Sequence, residues 1–562
     1  MKIVIVGGVA GGASAAARLR RLDEQAEIIL LERGDYISYA NCGLPYYIGG
    51  EITDSSALTL QTPASFHARF RIDVRTGNEA IAIDAARKIV TVRRTATGEA
   101  YEESYDKLIL STGAEPVRPP FEGVNDPRIF TLRTIPDTFK IKEQIEKAHA
   151  KTAVVVGGGY IGVEMAENLA SAGLAVTIVE LSDHVIAPLD FDMACDVHHY
   201  LRTNGIDLRL KTGVKAFASG EKLEVILDSD KILTDLVILA IGVRPDTKLA
   251  QSAGLSCDAK GSVLVNSQMK TSDESIYAVG DAIKIINFVT GDAGYIPLAG
   301  PANKQGRIAA DNICGISSEY KGTQGSAVLK LFDMTIATTG LNEAAAAAAK
   351  IDYDKVYTFS ASHATYYPAA SNMSLKLLFE KAGGKVIGAQ IVGFDGVDKR
   401  CDVLATAIRA RMTVYDLTEL ELCYAPPFSS AKDPVNMVGF AAENVLRGKV
   451  KQYFWQDVAA LRERGDITML DVRTNGEYAH GHIDGAMHIP LDSLRQNLGQ
   501  LDKTKPLYVN CQSGLRSYLA CRILTQNGFD CYNLAGGYRL YESATRDMTF
   551  DQTPKHPCGI KI

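Results

Sequence analysis

The sequence predicts an α/β protein assembled from several modules. Two observations carry that expectation. A strand, a glycine-rich turn, a helix and a second strand ending in an acid occur at residues 2–32 and again at 152–180. The last hundred or so residues then bring a separate set of strands and helices around a cysteine loop. Strands alternating with helices point to parallel sheets covered by helices.

The bulk numbers fit that reading. The chain has 562 residues, roughly three to five domains at about 100–200 residues each. Hydrophobic residues make up 46% and charged residues 22%, ordinary values for a globular chain, and the net charge of −6 gives no footing for nucleic acid. Ten cysteines at irregular spacing do not form a disulfide scaffold and suggest a reducing compartment, which we expect to be the cytoplasm. The opening Met1-Lys2-Ile3-Val4-Ile5-Val6-Gly7 reads as a buried strand entering a turn, not as a signal peptide. No run of about 18 apolar residues suggests a membrane span.

In the first unit the turn is Gly7-Gly8-Val9-Ala10-Gly11-Gly12, a helix runs from Ala13 to Leu22, and the strand Glu27–Leu31 ends at Glu32, 20 positions past Gly12. Glycines there allow a tight turn and let a pyrophosphate approach a helix N-terminus, while the acid can bond a ribose. The middle glycine of the G-x-G-x-x-G pattern is Val9. The second unit keeps the full pattern, Gly157-Gly158-Gly159-Tyr160-Ile161-Gly162, with Glu180 18 residues beyond. Two such Rossmann-like units mean two dinucleotides, most simply FAD and NAD. A carboxylate at Glu180 repels a 2′-phosphate, so NADH is expected over NADPH.

Two shorter signals follow the first unit: Leu108–Ala114, a strand into the turn Ser111-Thr112-Gly113, and Ile276–Ala282, a strand ending at Gly280-Asp281. At these spacings residues 1–447 resemble the two-dinucleotide, flavin-dependent pyridine nucleotide-disulfide reductases. The resemblance implies FAD contacts at Gly7, Gly8, Ala10, Gly11, Gly12, Glu32, Arg33, Asn41, Ser111, Thr112, Gly113, Gly280 and Asp281. It implies NADH contacts at Gly157, Gly159, Tyr160, Gly162, Glu164 and Glu180. It also implies a FAD-binding domain at 1–113 and 245–322, an NAD-binding domain at 114–244, and a mixed αβ dimerisation domain at 323–447, hence a homodimer. No metal site is expected.

Between the units lies Ser38-Tyr39-Ala40-Asn41-Cys42-Gly43-Leu44-Pro45-Tyr46-Tyr47. A Cys-x-x-x-x-Cys pair would make an internal redox disulfide, but the fifth residue after Cys42 is Tyr47. A single thiol beside a flavin must cycle through an external partner: a sulfenic acid, a persulfide or a mixed disulfide.

Residues 448–456 read as a linker holding Trp455, the only tryptophan. Beyond it come Met469-Leu470-Asp471-Val472-Arg473, Glu477 through Pro490 with Gly481-His482-Ile483, and the loop Cys511-Gln512-Ser513-Gly514-Leu515-Arg516 opening onto a helix. This resembles a rhodanese domain, expected at 457–562. Backbone N–H groups and the helix dipole there favour a thiolate. Four residues separate Cys511 from Arg516, where cysteine phosphatases have five, so the shorter loop suits a persulfide rather than a phosphate. Cys521, Cys531 and Cys558 could accept sulfur, but each reads first as structural or incidental.

Residues 1–440 also resemble coenzyme A-disulfide reductase, whose flavin-proximal cysteine matches Asn41-Cys42. That resemblance implies two tyrosines donated across the dimer, Tyr366 and Tyr424, able to protonate a departing thiolate. It implies coenzyme A contacts at Ser14, Arg18, Arg21, Ser38, Asn41, Arg69, Arg71 and Lys432, with Phe70 in place of a family lysine. Arg18 and Arg21, one helical turn apart, suit phosphate.

The whole chain resembles coenzyme A-disulfide reductase–rhodanese fusions. The implied activity is NADH-dependent reduction of persulfide or polysulfide sulfur at Cys42, with FAD, NADH and coenzyme A as cofactors. Cys511 would deliver sulfane sulfur, and hydrogen sulfide would be released. Coenzyme A persulfide, polysulfide and coenzyme A disulfide are the candidate substrates. An NADH oxidase or peroxidase working through a cysteine sulfenic acid, and a non-catalytic sulfur carrier, are the competing readings.

Overall fold

The computed structural model describes residues 1–550. Cys558, one of the candidate acceptors, lies outside them. The chain divides into two units, one of residues 1–181 and 212–325, the other of 182–211 and 326 onward.

In the first unit, Lys2–Val6 is the central strand of a five-stranded parallel sheet. Glu27–Glu32 and then Asp73–Thr76 lie on one side of it, Lys107–Leu110 and then Ile276–Ala278 on the other. Ile3, Val4 and Ile5 have no exposed surface. This explains the uninterrupted apolar run, since a parallel strand covered on both faces has no polar side to alternate. The chain reverses direction of strand order at this central strand, so the turn after Val6 opens at a topological switch point, where α/β sheets bind ligands. The helix Ala10–Leu22 starts there and packs along Ala299–Ile313. The approach is close because Gly306 has no side chain: a Cβ on it would lie 2.3 Å from the Gly11 carbonyl oxygen.

The second repeat forms an equivalent parallel arrangement, with Thr152–Val156 between Ala175–Val179 and Leu236–Leu239, and Ile129–Phe130 beyond. Both expected Rossmann-like units are therefore present, in the order expected.

The second unit holds two sheets. Residues 327–393 supply five antiparallel strands in the order Ala327–Leu331, Met334–Gly340, Val386–Gly393, Asn372–Glu380, Tyr353–Ala361. The helices Val397–Arg409 and Pro434–Leu446 cover it. The terminal sheet is parallel, ordered Lys451–Tyr453, Cys531–Leu534, Leu507–Asn510, Thr468–Asp471, Met487–His488. Its edge strand falls within the stretch read as a linker, with Lys451, Gln452 and Tyr453 registered against Tyr532, Asn533 and Leu534.

Two polar clusters organise this unit. Lys376, fully buried, places its Nζ 2.8 Å from Asp190, 2.9 Å from Asp192 and 2.6 Å from Glu343. Those carboxylates hold it charged against the cost of burial. On the helix Phe191–Thr203, His198 Nδ1 lies 2.7 Å from Asp547 of the helix Gly537–Met548, and Arg202 pairs with the same carboxylate. The segment 182–211 is thereby fastened to the terminal module.

Candidate active sites

The first glycine turn is as tight as the chemistry requires. Gly7 has φ +97°, and a Cβ on Gly12 would sit 1.9 Å from the Gly7 oxygen. The Glu32 carboxylate accepts from Gly8 N–H and Gly34 N–H, both at 2.9 Å, which fixes it at the strand end beside the turn. Arg33 pairs with Asp246 at 3.0 Å. Thr112 Oγ1 donates to the Asp246 carbonyl at 2.5 Å, and Gly280 N–H to Gln305 Oε1 at 2.8 Å. Asp281 lies 3.5 Å from Arg133, and burial still pushes its carboxyl up. Asn41 Oδ1 and the Tyr295 hydroxyl are buried with no partner. Unpartnered buried polar atoms are rare, so these two, with the glycine cradle and Glu32, fit a bound dinucleotide that supplies their missing partners. Arg133, Tyr295 and Gln305 come from segments without a motif, so no sequence signal announced them.

The second turn repeats the geometry. Gly157 has φ +106°, a Cβ on Gly162 would again lie 1.9 Å from the oxygen of the first glycine, and Gly158 N–H donates to Glu180 at 2.5 Å. The middle glycine, Gly159, caps the helix Tyr160–Ser171 in extended conformation, and a Cβ there would meet no protein atom within 4 Å. The same capping position in the first unit is Val9. That explains how the first turn forms without the middle glycine. Tyr160 opens this helix, and one turn later Glu164 accepts from Tyr46 Oη at 3.4 Å. Burial pushes Glu164 up to about 7.

Cys42 sits in a single 3-10 turn, Asn41–Gly43, that runs into the helix Leu44–Gly49. The residue is exposed, yet the protein around its sulfur still desolvates the thiol and raises its pKa, Glu164 adding and Arg133 opposing. Ser38 adopts φ +44° and donates its N–H to the Gly8 oxygen at 2.8 Å, which brings the Cys42 stretch to the first glycine turn.

The expected coenzyme A contacts are differently committed. Ser14 donates to Asn303 at 2.6 Å and Arg18 to Asp311 at 2.7 Å. Arg21, Arg69, Arg71 and Lys432 are exposed, Arg71 within 3.2 Å of Glu24.

Tyr366 and Tyr424, 58 residues apart in the chain, meet with their hydroxyl oxygens 3.0 Å apart. Tyr366 is 75% exposed. Buried Arg400, which the sequence reading missed, holds the two loops together. Its Nη2 donates to the Ser362 carbonyl at 2.9 Å, to Ser429 Oγ at 3.1 Å and to Asp433 at 2.9 Å.

In the terminal module Cys511 follows the strand Leu507–Asn510 and has no exposed surface. Gly514 N–H and Ser517 Oγ donate to its sulfur, both at 3.2 Å. The loop stacks on the next turn so closely that a Cβ on Gly537 would lie 2.6 Å from the Cys511 oxygen. Arg516 points to Glu477, Nη1 to Oε2 at 2.8 Å and Nη2 to Oε1 at 2.6 Å. Arg516 and the Thr474 cap hold the Glu477 carboxyl down at about 2. Arg473, buried, is paired to Asp471 at 2.8 Å and lies 4.0 Å over the Tyr538 ring. Cys521 and Cys531 are both buried in the core beneath. Hydrogen bonds from Cys521 and Thr525 hold Cys531 down to about 7.

These features agree with the comparisons. The family model described as pyridine nucleotide-disulphide oxidoreductase matches residues 1–306, its dimerisation domain matches 326–434, and a rhodanese-like domain matches 454–544. The chain belongs to the pyridine nucleotide-disulphide oxidoreductase family. Coenzyme A disulfide reductase of Staphylococcus aureus is 38% identical over 447 residues, 79% of this chain and all of the relative. The structure of reduced Bacillus anthracis CoADR-RHD is similar at 48% identity and a TM-score of 0.96, covering 97% of this chain and 98% of that one. A NAD-dependent persulfide reductase from A. fulgidus is similar at 39% identity and a TM-score of 0.90, covering 96% of this chain and 100% of that one. Family membership implies FAD and NAD(H), and the dimerisation module is the family's means of pairing two copies. One expectation changes: the Staphylococcus relative is named for coenzyme A disulfide as what it reduces, so coenzyme A does not stand with the cofactors. Among the described residues no helix is long and apolar enough to cross a membrane.

Proposed function

We propose that this flavoenzyme is an NADH-dependent reductase of persulfide and polysulfide sulfur, with coenzyme A persulfide as the favoured substrate. One observation carries the reading: a flavin-type module with a single exposed Cys42 shares its chain with a rhodanese loop in which Cys511 is fully cradled. The first needs an external sulfur partner and the second handles sulfane sulfur.

FAD, held by the first glycine turn, supplies the two-electron link between NADH and the thiol site. The residues of the chain do the rest. The Cys42 thiolate attacks the outer sulfur of a persulfide, RS–SH, releasing the thiolate RS⁻ and leaving Cys42–S–SH. Two electrons and one proton then return the Cys42 thiolate and release hydrogen sulfide. The Tyr366–Tyr424 pair, donated across the homodimer, supplies the proton to the departing RS⁻. Exposed Arg21, Arg69 and Lys432, and Arg71 on leaving Glu24, meet the coenzyme A phosphates, whereas Arg18 acts mainly through Asp311. Cys511 accepts sulfane sulfur and passes it on. The free cysteines suit a reducing compartment, the cytoplasm.

The match to the whole length of the Staphylococcus coenzyme A disulfide reductase favours coenzyme A disulfide as a second substrate. The deciding experiment compares NADH oxidation with coenzyme A persulfide, polysulfide, coenzyme A disulfide and oxygen in the wild type, Cys42→Ser and Cys511→Ser. The persulfide should give the highest kcat/KM and require Cys42. Fast turnover with oxygen and none with any sulfur substrate would establish the oxidase reading instead.

A further inference from the structure

The Cys511 loop carries a feature that its expected chemistry does not call for. Its arginine is already occupied. Arg516 and Glu477 meet through two parallel hydrogen bonds, 2.8 and 2.6 Å, the geometry of a full guanidinium–carboxylate pair. Glu477 is itself fixed from the other side, its Oε2 accepting from Thr474 N–H at 2.9 Å and Thr474 Oγ1 at 2.8 Å. The second arginine near the loop, Arg473, is matched by Asp471. Both cations are thus cancelled by carboxylates, and the Cys511 sulfur is left with neutral donors alone, the Gly514 N–H and the Ser517 hydroxyl.

We propose that Glu477 sets the donor selectivity of this loop: by neutralising Arg516 it shuts out inorganic sulfane dianions, thiosulfate foremost, and favours organic persulfides. The inference rests on the reading of Cys511 as a sulfur acceptor. Charge balance separates the two donors. Attack of the Cys511 thiolate on thiosulfate breaks its S–S bond to give sulfite and Cys511–S–S⁻, and gathers three negative charges at the loop. Attack on RS–SH gives RS⁻ and Cys511–S–SH and gathers one, or two when the persulfide is ionised. Stabilising three charges needs an unpaired cation, because a preorganised positive group is the main electrostatic device for developing anions. A carboxylate paired with the loop's own arginine removes that cation from the entering dianion.

The test measures sulfur transfer to cyanide by the full-length holoenzyme, with thiosulfate and with glutathione persulfide as donors. Formation of Cys511 persulfide is followed by mass spectrometry. The wild type should load from the persulfide and scarcely from thiosulfate. In Glu477→Gln the preference for persulfide over thiosulfate, as a ratio of kcat/KM, should fall by about tenfold or more. Glutamine keeps an acceptor for the Thr474 cap, and a normal circular-dichroism melt checks the fold. Glu477→Asp, which keeps the charge, should retain the preference, and Glu477→Gln/Arg516→Gln should regain it. An unchanged ratio in Glu477→Gln, or a wild type that takes thiosulfate as readily as persulfide, overturns the proposal while leaving Cys511 a sulfur acceptor. Failure of both donors to load wild-type Cys511 overturns the sulfur-transfer reading and the selectivity proposal together.

Discussion

The hydroxyl oxygens of Tyr366 and Tyr424 lie 3.0 Å apart, a hydrogen bond between two exposed side chains from separate loops. Exposed phenols seldom hold such a bond, because the ordering of two side chains is not repaid by burial. Here the ordering is done from below by Arg400, whose guanidinium fastens the Ser362 and Ser429–Asp433 ends of the loops. In the proposed reaction this held pair is the proton donor to the departing thiolate.

Removing either hydroxyl should therefore slow protonation of the departing thiolate. Tyr366→Phe and Tyr424→Phe are each expected to lower kcat for the persulfide by about a hundredfold, the low end of general-acid contributions. The double variant should cost little more than the worse single one, because the two act as a unit. Steady-state NADH oxidation measures this. Additive losses would mean the two tyrosines serve separate steps.

Glu164 gives a pH-dependent expectation. Burial raises its carboxyl from 4.5 to about 7. A carboxyl whose folded pKa exceeds its unfolded value favours the folded chain while protonated. That contribution is complete below pH 4.5 and is lost as pH rises to about 7. Glu164→Gln stays neutral throughout. Its melting temperature should match wild type near pH 5 and exceed it by roughly a few degrees at pH 8. Losing the anion should also lower the Cys42 pKa, which Glu164 helps to raise. Alkylation of Cys42 against pH should shift to a lower midpoint in the variant, and an unmoved midpoint would remove Glu164 from the thiol's environment.

Glu180 accepts from Gly158 N–H at 2.5 Å, which fixes its carboxylate at the second glycine turn. Wild type should prefer NADH to NADPH. Glu180→Ala should narrow the ratio of kcat/KM values by about tenfold or more, since an unshielded like charge facing a phosphate is the discriminating element. An unaltered ratio would place the selectivity elsewhere.

Much of this was legible in the chain. The paired glycine turns declared themselves because a Cβ on Gly12 or Gly162 would lie 1.9 Å from the carbonyl oxygen of Gly7 or Gly157, so only glycine fits. Those contacts are local and repeat in the sequence. Val9 weakened the first motif, but the equivalent capping position in the second unit, Gly159, has room for a Cβ, so the motif demanded less than its full pattern implied. Arg133, Tyr295, Arg400 and Glu477 were hidden for the opposite reason. Arg133, Arg400 and Glu477 act through partners far away in sequence, Tyr295 is placed only by the fold, and a single charged or aromatic residue leaves no periodic trace. Glu477 did stand in the Glu477-Tyr478-Ala479-His480-Gly481-His482 motif, yet its bond to Arg516, 39 residues on, exists only once the loop and the helix Asn475–His480 are folded together. The edge strand Lys451–Tyr453 was missed because three residues are too few to show alternation.

The central claim is that one thiol, Cys42, carries persulfide reduction. Hydrogen sulfide released per NADH oxidised, with coenzyme A persulfide as sole substrate, tests it most directly. Wild type should release one hydrogen sulfide per NADH, Cys511→Ser should keep that stoichiometry with the soluble persulfide, and Cys42→Ser should release none. Undiminished sulfide release from folded, FAD-loaded Cys42→Ser would contradict the account.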